Sequence, residues 1–323
     1  MKKSETPVVS ICCLTYNHER FIRQCLDGFL MQKTSFPFEI LIHDDASTDS
    51  TASVIREYEE RYPGIIKPIY QKENQYKKGI ANTPTYQFPR VRGKYIAFCE
   101  GDDYWIDEYK LQKQVDFLES HPDYSLCSHR FKIYDKEENV WEPEWKYYKE
   151  IFAGNPDGVS FSLEENFLRH WLTKVLTVVV RKDSIVHVDF LPFTYFRDVH
   201  LFYYALKGSK GFCLNFFGGV YNRHFGGVYG KVTNKVNSDY RVYKDLLAKN
   251  KSDAVLKKIF RAAVIKKVYA DVLDPEISLK YTLKIAFESI VYSGDIKTSV
   301  HAFRRIFRDR LWRIKRFIIR FVK

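Results

Sequence analysis

The feature that most constrains the fold of this 323-residue chain is an alternation in its first third. Short apolar runs of strand length alternate with helix-patterned stretches, and each run ends in a polar loop. Val8 to Leu14 reads as a first buried strand, followed by the loop Thr15-Tyr16-Asn17 and a helix from about His18 to Met31 with Phe21, Cys25, Leu26 and Phe29 on one face. Phe38 to Ile42 is a second strand ending in His43-Asp44-Asp45, and Asp49 or Ser50 caps a helix through Arg61 that Pro63-Gly64 terminates. Ile65 to Tyr70 and Lys94 to Cys99 read as third and fourth strands. Residues 71–92 between them follow no pattern. Strands alternating with helices predict βαβ units and a largely parallel sheet, in which ligands bind beyond the carboxyl ends of the strands.

The loops at those ends carry the chemistry. Cys99-Glu100-Gly101-Asp102-Asp103-Tyr104-Trp105 sets an acidic cluster against a buried strand, where negative charge is costly without a positive partner. A divalent cation carrying phosphate is one such partner, because hard cations favour carboxylate oxygens. The competing reading is an acidic turn that caps the next helix, with Asp103 as its cap. Two further polar loops on the same edge, Thr15-Tyr16-Asn17 and Asp44-Asp45, favour the first.

Downstream, Tyr124 to Tyr134 reads as a strand, 135–155 as an aromatic and charged excursion, 161–171 as a short helix, and Val175 to Val180 as another buried strand. A helix begins near Asp198, and Phe212 to Tyr221 forms one or two strands before the glycine-bearing loop at 222–228. From Asn237 the texture turns helical, so a boundary is expected near residue 236, dividing 1–236 from 237–323.

Charge divides the chain as well. The net charge is +12, but His301 to Lys323 alone hold nine Lys or Arg against Asp309. There Phe303, Phe307, Leu311, Ile314, Ile318 and Phe321 form one helical stripe opposite the arginines. That pattern fits an interfacial helix on anionic lipid; the alternative is a terminal helix packed on its own domain. Nucleic acid is not an expected partner, since no stacking module or groove-reading motif accompanies the charge. No uncharged apolar stretch approaches the ~18 residues a spanning helix requires. The six cysteines show no CxxC pair, which favours a reduced, cytoplasmic setting over a disulfide framework.

Five segments together resemble the family-2 inverting glycosyltransferases of the GT-A fold, in that family's order: VSICCLTYN (9–17), ILIHDDASTDST (40–51), RGKYIAFCEGDDYW (92–105), RDVHLF (197–202) and RHFGG (223–227). The first three are specific in combination and the last two weaker. The resemblance implies an α/β GT-A domain, a mostly parallel sheet flanked by helices, with a helical C-terminal extension.

It further implies that Thr15, Tyr16 and Asn17 line a nucleoside pocket and that Asp44 or Asp45 bonds the base edge. Glu100, Gly101 and Asp102 stand at the family's DxD position. Asp102 would then bind Mg²⁺ or Mn²⁺ at the donor diphosphate together with His224, and Asp198 would be the catalytic base. Glu100 departs from the family's first Asp, and its extra methylene leaves open whether it meets metal, ribose or sugar. No QxxRW signature of processive members is present, which points to one sugar per encounter.

The chemistry asks for the same groups without the resemblance. A departing diphosphate gains charge that a metal can neutralise, and an acceptor hydroxyl needs a carboxylate to take its proton. Asp198 serves as that base or as the cap of the helix that follows it. The expected function is transfer of a sugar from a nucleotide-sugar, UDP-sugar first, to a glycan or lipid-linked acceptor, in the cytoplasm or on the inner face of the cytoplasmic membrane. Two rivals remain: a sugar-phosphate nucleotidyltransferase, which usually has a glycine-rich loop where Thr15-Tyr16-Asn17 stands, and a non-catalytic binder recruited to membranes by its basic helix.

Overall fold

The structure, a computed structural model, describes residues 6–225 and 232–273, with 283–285, 287–288, 304 and 308. By compactness the chain divides into two units, Met1–Phe225 and Gly226–Lys323. This division falls upstream of the boundary expected near 236, and the helical texture already begins at Val232.

The first unit opens with β1 (Val9–Thr15), whose residues are buried except for Leu14, which is half-buried, as expected of a central parallel strand. Its chain then turns through His18 to Phe21 into α1 (Ile22–Leu30), which presses Ile22, Cys25, Leu26 and Phe29 into the core. Next come β2 (Phe38–Asp44), α2 (Thr51–Arg61) and β3 (Ile66–Tyr70). Residues 71–92 form short turns, at Tyr76–Lys78, Thr83–Gln87 and Phe88–Arg90, before β4 (Tyr95–Glu100).

The two-residue β5 (Tyr104–Trp105) and α3 (Lys110–Ser120) lead into β6 (Tyr124–Asp135). The aromatic excursion contributes β7 (Val140–Trp141) and α4 (Lys146–Phe152). There follow β8 (Gly158–Phe161), α5 (Leu163–Leu168), β9 (Val179–Arg181), α6 (Asp198–Leu206) and β10 (Lys210–Arg223).

Among the described residues these strands form one sheet in the order β3-β2-β1-β4-β9-β6-β10-β5, with β7 on β6 and β8 on β10. It is parallel from β3 to β4, as expected, and mixed beyond, because β9 runs antiparallel to both β4 and β6. The strand expected at Val175 to Val180 is only half strand. Val175–Thr177 is a tight turn in which the Thr177 amide and hydroxyl both donate to the Lys174 carbonyl, at 2.8 and 2.9 Å. Phe212 to Tyr221 lies within a single long strand, whose pairing with β6 shifts register at Leu214/Phe217 and Phe217/Gly219.

All six cysteines are free and buried. At the foot of the sheet, Glu39 (side chain 2% exposed) receives Ser10 Oγ at 2.7 Å, Lys67 Nζ at 2.8 Å and Arg92 Nη2 at 2.6 Å. Arg92 is thus a structural partner of the sheet, and Lys94 pairs with Glu119 at the surface.

The second unit contains α7 (Val232–Lys249) and α8 (Ala254–Leu273), which bury Val242, Leu246 and Leu247 from one helix and Leu256, Ile259, Phe260 and Val264 from the other. Lys244 Nζ reaches Glu288 at 2.7 Å. The amphipathic basic stretch at 301–323 lies outside the described residues except Arg304 and Arg308, which are exposed. No helix among the described residues is long and apolar enough to cross a membrane.

Candidate functional site

Register brings the three polar loops together. Thr15 at the end of β1 stands opposite Asp44 at the end of β2, and Leu14 stands opposite Glu100 at the end of β4. All three loops therefore leave the sheet side by side on its carboxyl edge.

The first loop turns at Asn17, whose φ of 55° lies in the left-handed region that Asn tolerates. Its side-chain oxygen accepts from the Thr48 amide at 2.8 Å, and its own amide donates to Ser47 Oγ at 2.9 Å. The loops after β1 and β2 are thereby tied to each other. Tyr16 is half-buried, with Lys77 Nζ 5.7 Å from its ring centre.

The adjacent aspartates differ. Asp45 accepts the amides of Gln75 and Tyr76 at 2.7 and 3.0 Å, and so holds the turn after β3. Asp44 is buried and takes the Ser47 hydroxyl. Burial raises the Asp44 carboxyl above its ordinary value, and the Ser47 bonds oppose the rise. His43 is a packed strand-end residue, 3.0 Å from Gln71 Nε2 and stacked on Tyr86.

The acidic loop is stitched to β10. Gly219 and Val220 pair antiparallel with Trp105 and Tyr104, and the buried Trp105 donates Nε1–H to the Leu176 carbonyl at 2.9 Å. Asp103 accepts the Asn222 amide at 2.9 Å, and Asn222 Nδ2 donates to the Asp102 carbonyl. Asp103 is therefore not the cap expected for the next helix, which starts only at Lys110. It is a buried latch across the sheet, its carboxyl raised well above the usual range by burial and by the charges of Asp102 and Glu100.

That latch delivers His224. Its Nε2 lies 3.0 Å from Asp102 Oδ2, while His18 Nε2 approaches the same oxygen at 3.7 Å from the start of α1. Burial acts to raise the Asp102 carboxyl, but the His224 hydrogen bond and the two nearby imidazoles hold it below the usual value. Gly101 makes the close approach possible. A Cβ there would stand 2.7 Å from Thr15 Oγ1, 2.8 Å from Thr15 Cβ and 3.1 Å from His18 Nδ1.

Three polar atoms around Gly101 are buried without hydrogen-bond partners: Thr15 Oγ1, His18 Nδ1 and Asp102 Oδ1. Such atoms are rare in folded chains and call for a ligand or water. Carboxylate oxygens of Glu100, Asp102 and Asp103 lie within 4.8 Å of one another. An all-oxygen group with imidazole beside it fits Mg²⁺ or Mn²⁺.

Glu100 is exposed at the end of β4, with its carboxylate in the acidic cluster. Desolvation, then the charges of Asp102 and Asp198, push it up to about 7, against the pull of Arg197 and Lys174. Asp198 is thus near enough for its charge to act on Glu100. Arg197 occupies the cap position and Asp198 the first turn of α6, so the capping role is not Asp198's. Its Oδ1 is buried with no hydrogen-bond partner. His18, Lys174, Arg197 and Asn222 escaped sequence reasoning. Arg197 opens the segment RDVHLF, and His18 and Asn222 adjoin quoted segments, but nothing local marks Lys174.

The sequence model of Glycosyl transferase family 2 matches residues 10–176, more than half of the chain. The chain belongs to that family. It is 45% identical over 125 residues to an uncharacterized Mycobacterium tuberculosis protein, a match covering 39% of this chain and 35% of that relative's length. The putative teichuronic acid biosynthesis glycosyltransferase TuaG of Bacillus subtilis is 25% identical over 264 residues, covering 81% and 90% of the two chains. Among solved structures, Staphylococcus aureus TarS (residues 1–349) in complex with UDP-GlcNAc superposes with a TM-score of 0.63 at 16% identity, covering 88% of this chain and 81% of that one. That likeness shows the fold, the GT-A type.

Proposed function

We propose that this chain transfers one sugar from a nucleotide-sugar, a UDP-sugar first, to a glycan or lipid-linked acceptor by metal-assisted single displacement with inversion. The observation that carries the reading is the orphaned Oδ1 of Asp102 at the carboxyl edge of the sheet, on a carboxylate whose other oxygen meets His224, with the charge of Asp198 acting on neighbouring Glu100. The complex of TarS with UDP-GlcNAc and the name of TuaG support a nucleotide-sugar donor and a cell-surface glycan as product class.

In this reading Thr15, Tyr16, Asn17 and Asp44 hold the nucleoside, with Asp45 fixing the turn that closes over it. Asp102 and His224 hold Mg²⁺ or Mn²⁺, and Glu100 approaches the same ion or the sugar. The ion supplies charge neutralisation of the departing diphosphate, an effect worth several kcal/mol.

Asp198 removes the acceptor hydroxyl's proton as its oxygen bonds to the anomeric carbon. The bond from that carbon to the diphosphate oxygen breaks with its electron pair, leaving a nucleoside diphosphate. General-base assistance of this kind contributes about 10²–10⁴-fold. One carboxylate acting on the acceptor predicts inversion, since retention by a covalent route needs a second carboxylate as nucleophile. The basic stretch at 301–323 would hold the enzyme on the inner face of the cytoplasmic membrane.

The test is a panel of nucleotide-sugars with Mn²⁺ or Mg²⁺, read as nucleoside diphosphate release. Release with a UDP-sugar supports the reading, as does inverted anomeric configuration in the product. No release and no thermal shift with any donor overturns it.

A further inference from the structure

Away from the donor loops, a pocket of about 330 Å³ lies between β6, β10 and the excursion that contains β7 and α4. Its walls include Phe131, Trp141, Trp145, Tyr148 and Phe217. Trp141 is 55% exposed and its neighbour Val140 51%, a large apolar surface left open on a two-residue strand. Two carboxylates, Glu142 and Glu144, and one ammonium, Lys132, stand among these rings, with Lys132 Nζ 5.9 Å from the centre of the Trp141 ring. Arg130 grips Glu144 with Nε at 2.9 Å and Nη2 at 2.6 Å, and Arg223 pairs with Glu142.

We propose that this pocket is a second sugar-binding subsite, holding a non-reacting ring of a saccharide acceptor. The proposal rests on the transferase reading above. Its chemistry comes from the lining. Aromatic faces are electron-rich and take the polarised C–H face of a pyranose, while an oriented carboxylate accepts a sugar hydroxyl through a lone pair that its arginine leaves open. The arginines fix both carboxylates in place but leave lone pairs on their oxygens. An acyl chain would have to desolvate these charged groups without compensation. The volume lies at the lower end for small-molecule sites, large enough for one or two sugar rings.

Its position gives it a use. Ile133 of the pocket floor pairs with Tyr221, and two residues further on Asp135 pairs with Arg223 at the end of both strands. Two strand residues span about 7 Å. Arg223 is at once the partner of Glu142 and the chain neighbour of His224, which meets Asp102. The pocket therefore lies near the end of β10 that carries His224 to Asp102, so an oligosaccharide bound in it would lie beside the candidate site. The pocket's outer wall, Trp141 to Tyr148, lies within 135–171, a stretch that like 71–92 follows no motif, as befits a part that selects an acceptor.

The test uses the full chain on an array of bacterial surface oligosaccharides, with UDP-sugar hydrolysis measured in parallel. Wild type should bind a subset of glycans. Trp141→Ala should weaken that binding at least about tenfold, the equivalent of about 1.4 kcal/mol, with Trp141→Phe retaining part of it. Both variants should melt as wild type does and release UDP at the wild-type rate, because Trp141 touches none of the donor residues. Wild type binding no glycan, or Trp141→Ala binding as wild type does, overturns the subsite. Glycan binding that depends on Trp141 in a chain that neither releases nucleoside diphosphate from any nucleotide-sugar nor shows a thermal shift with one keeps the subsite and removes the transferase reading.

Discussion

His224 Nε2 stands 3.0 Å from Asp102 Oδ2, while the other oxygen of the same carboxylate is buried with no partner. The two residues are 122 positions apart and meet because Asp103 and Asn222 join the acidic loop to β10 just beside them. One oxygen is thus oriented by an imidazole and the other left to a ligand. That asymmetry is why the proposed function puts Asp102, rather than either neighbouring acid, at the donor.

Replacing Asp102 by Asn keeps the shape and removes the charge. Loss of several kcal/mol of charge stabilisation corresponds to a fall in turnover of about a hundredfold or more. Mn²⁺ affinity, followed by electron paramagnetic resonance, should weaken in parallel. Unchanged Mn²⁺ binding would place the ion elsewhere.

For Asp198 the expectation separates chemistry from binding. Asp198→Asn should lower kcat by about 10²–10⁴-fold while leaving the donor Kd, measured calorimetrically, at its wild-type value. Turnover that survives the change removes Asp198 as the base.

Glu100 yields a pH signature in metal-free protein. Its carboxyl is pushed up to about 7 in the fold, from an ordinary value of 4.5. Between those values the folded chain retains a proton that the unfolded chain has released, so stability falls as pH rises through that window. Glu100→Gln abolishes this titration. With EDTA present, its Tm should gain on wild type as pH goes from about 4.5 to about 7 and stay ahead at pH 8. A difference in Tm that does not vary with pH contradicts the desolvated carboxylate.

At Gly101 the constraint is space. An added Cβ meets Thr15 Oγ1 and Cβ at 2.7 and 2.8 Å, and Thr15 is a β-branched, buried strand residue with little freedom to move. Gly101→Ala should destabilise the chain by about 1–3 kcal/mol in urea unfolding. Nucleotide-sugar affinity should fall with it, since the displaced atoms lie at the donor loops. A variant as stable as wild type would mean that the loop relaxes freely.

Much of the site was legible because it is local. A strand of five to seven apolar residues ends where its polar loop begins, so Thr15, Asp44 and Glu100 could be placed on one edge from periodicity alone. The cap reading open to Asp103 arises because its partner, the Asn222 amide, is 119 residues away and sequence proximity favours the nearer helix. Asp45 was indistinguishable from Asp44 for the same reason, since its partners lie in the unpatterned turn at Gln75 and Tyr76. The half-strand at Val175 to Val180 was overcalled because apolar content does not reveal a turn closed by Thr177 on the Lys174 carbonyl.

Sequence by itself determined the alternation of elements, the carboxyl-edge placement of the three loops and the types of group available there. These follow from periodicity and residue chemistry over a few positions. Only the tertiary structure decided which acid is oriented and which is a latch, that His18 joins His224 at Asp102, and that an aromatic pocket adjoins the same strand ends. Those outcomes depend on register and strand order across more than a hundred residues, where a shift of one position turns each side chain to the opposite face.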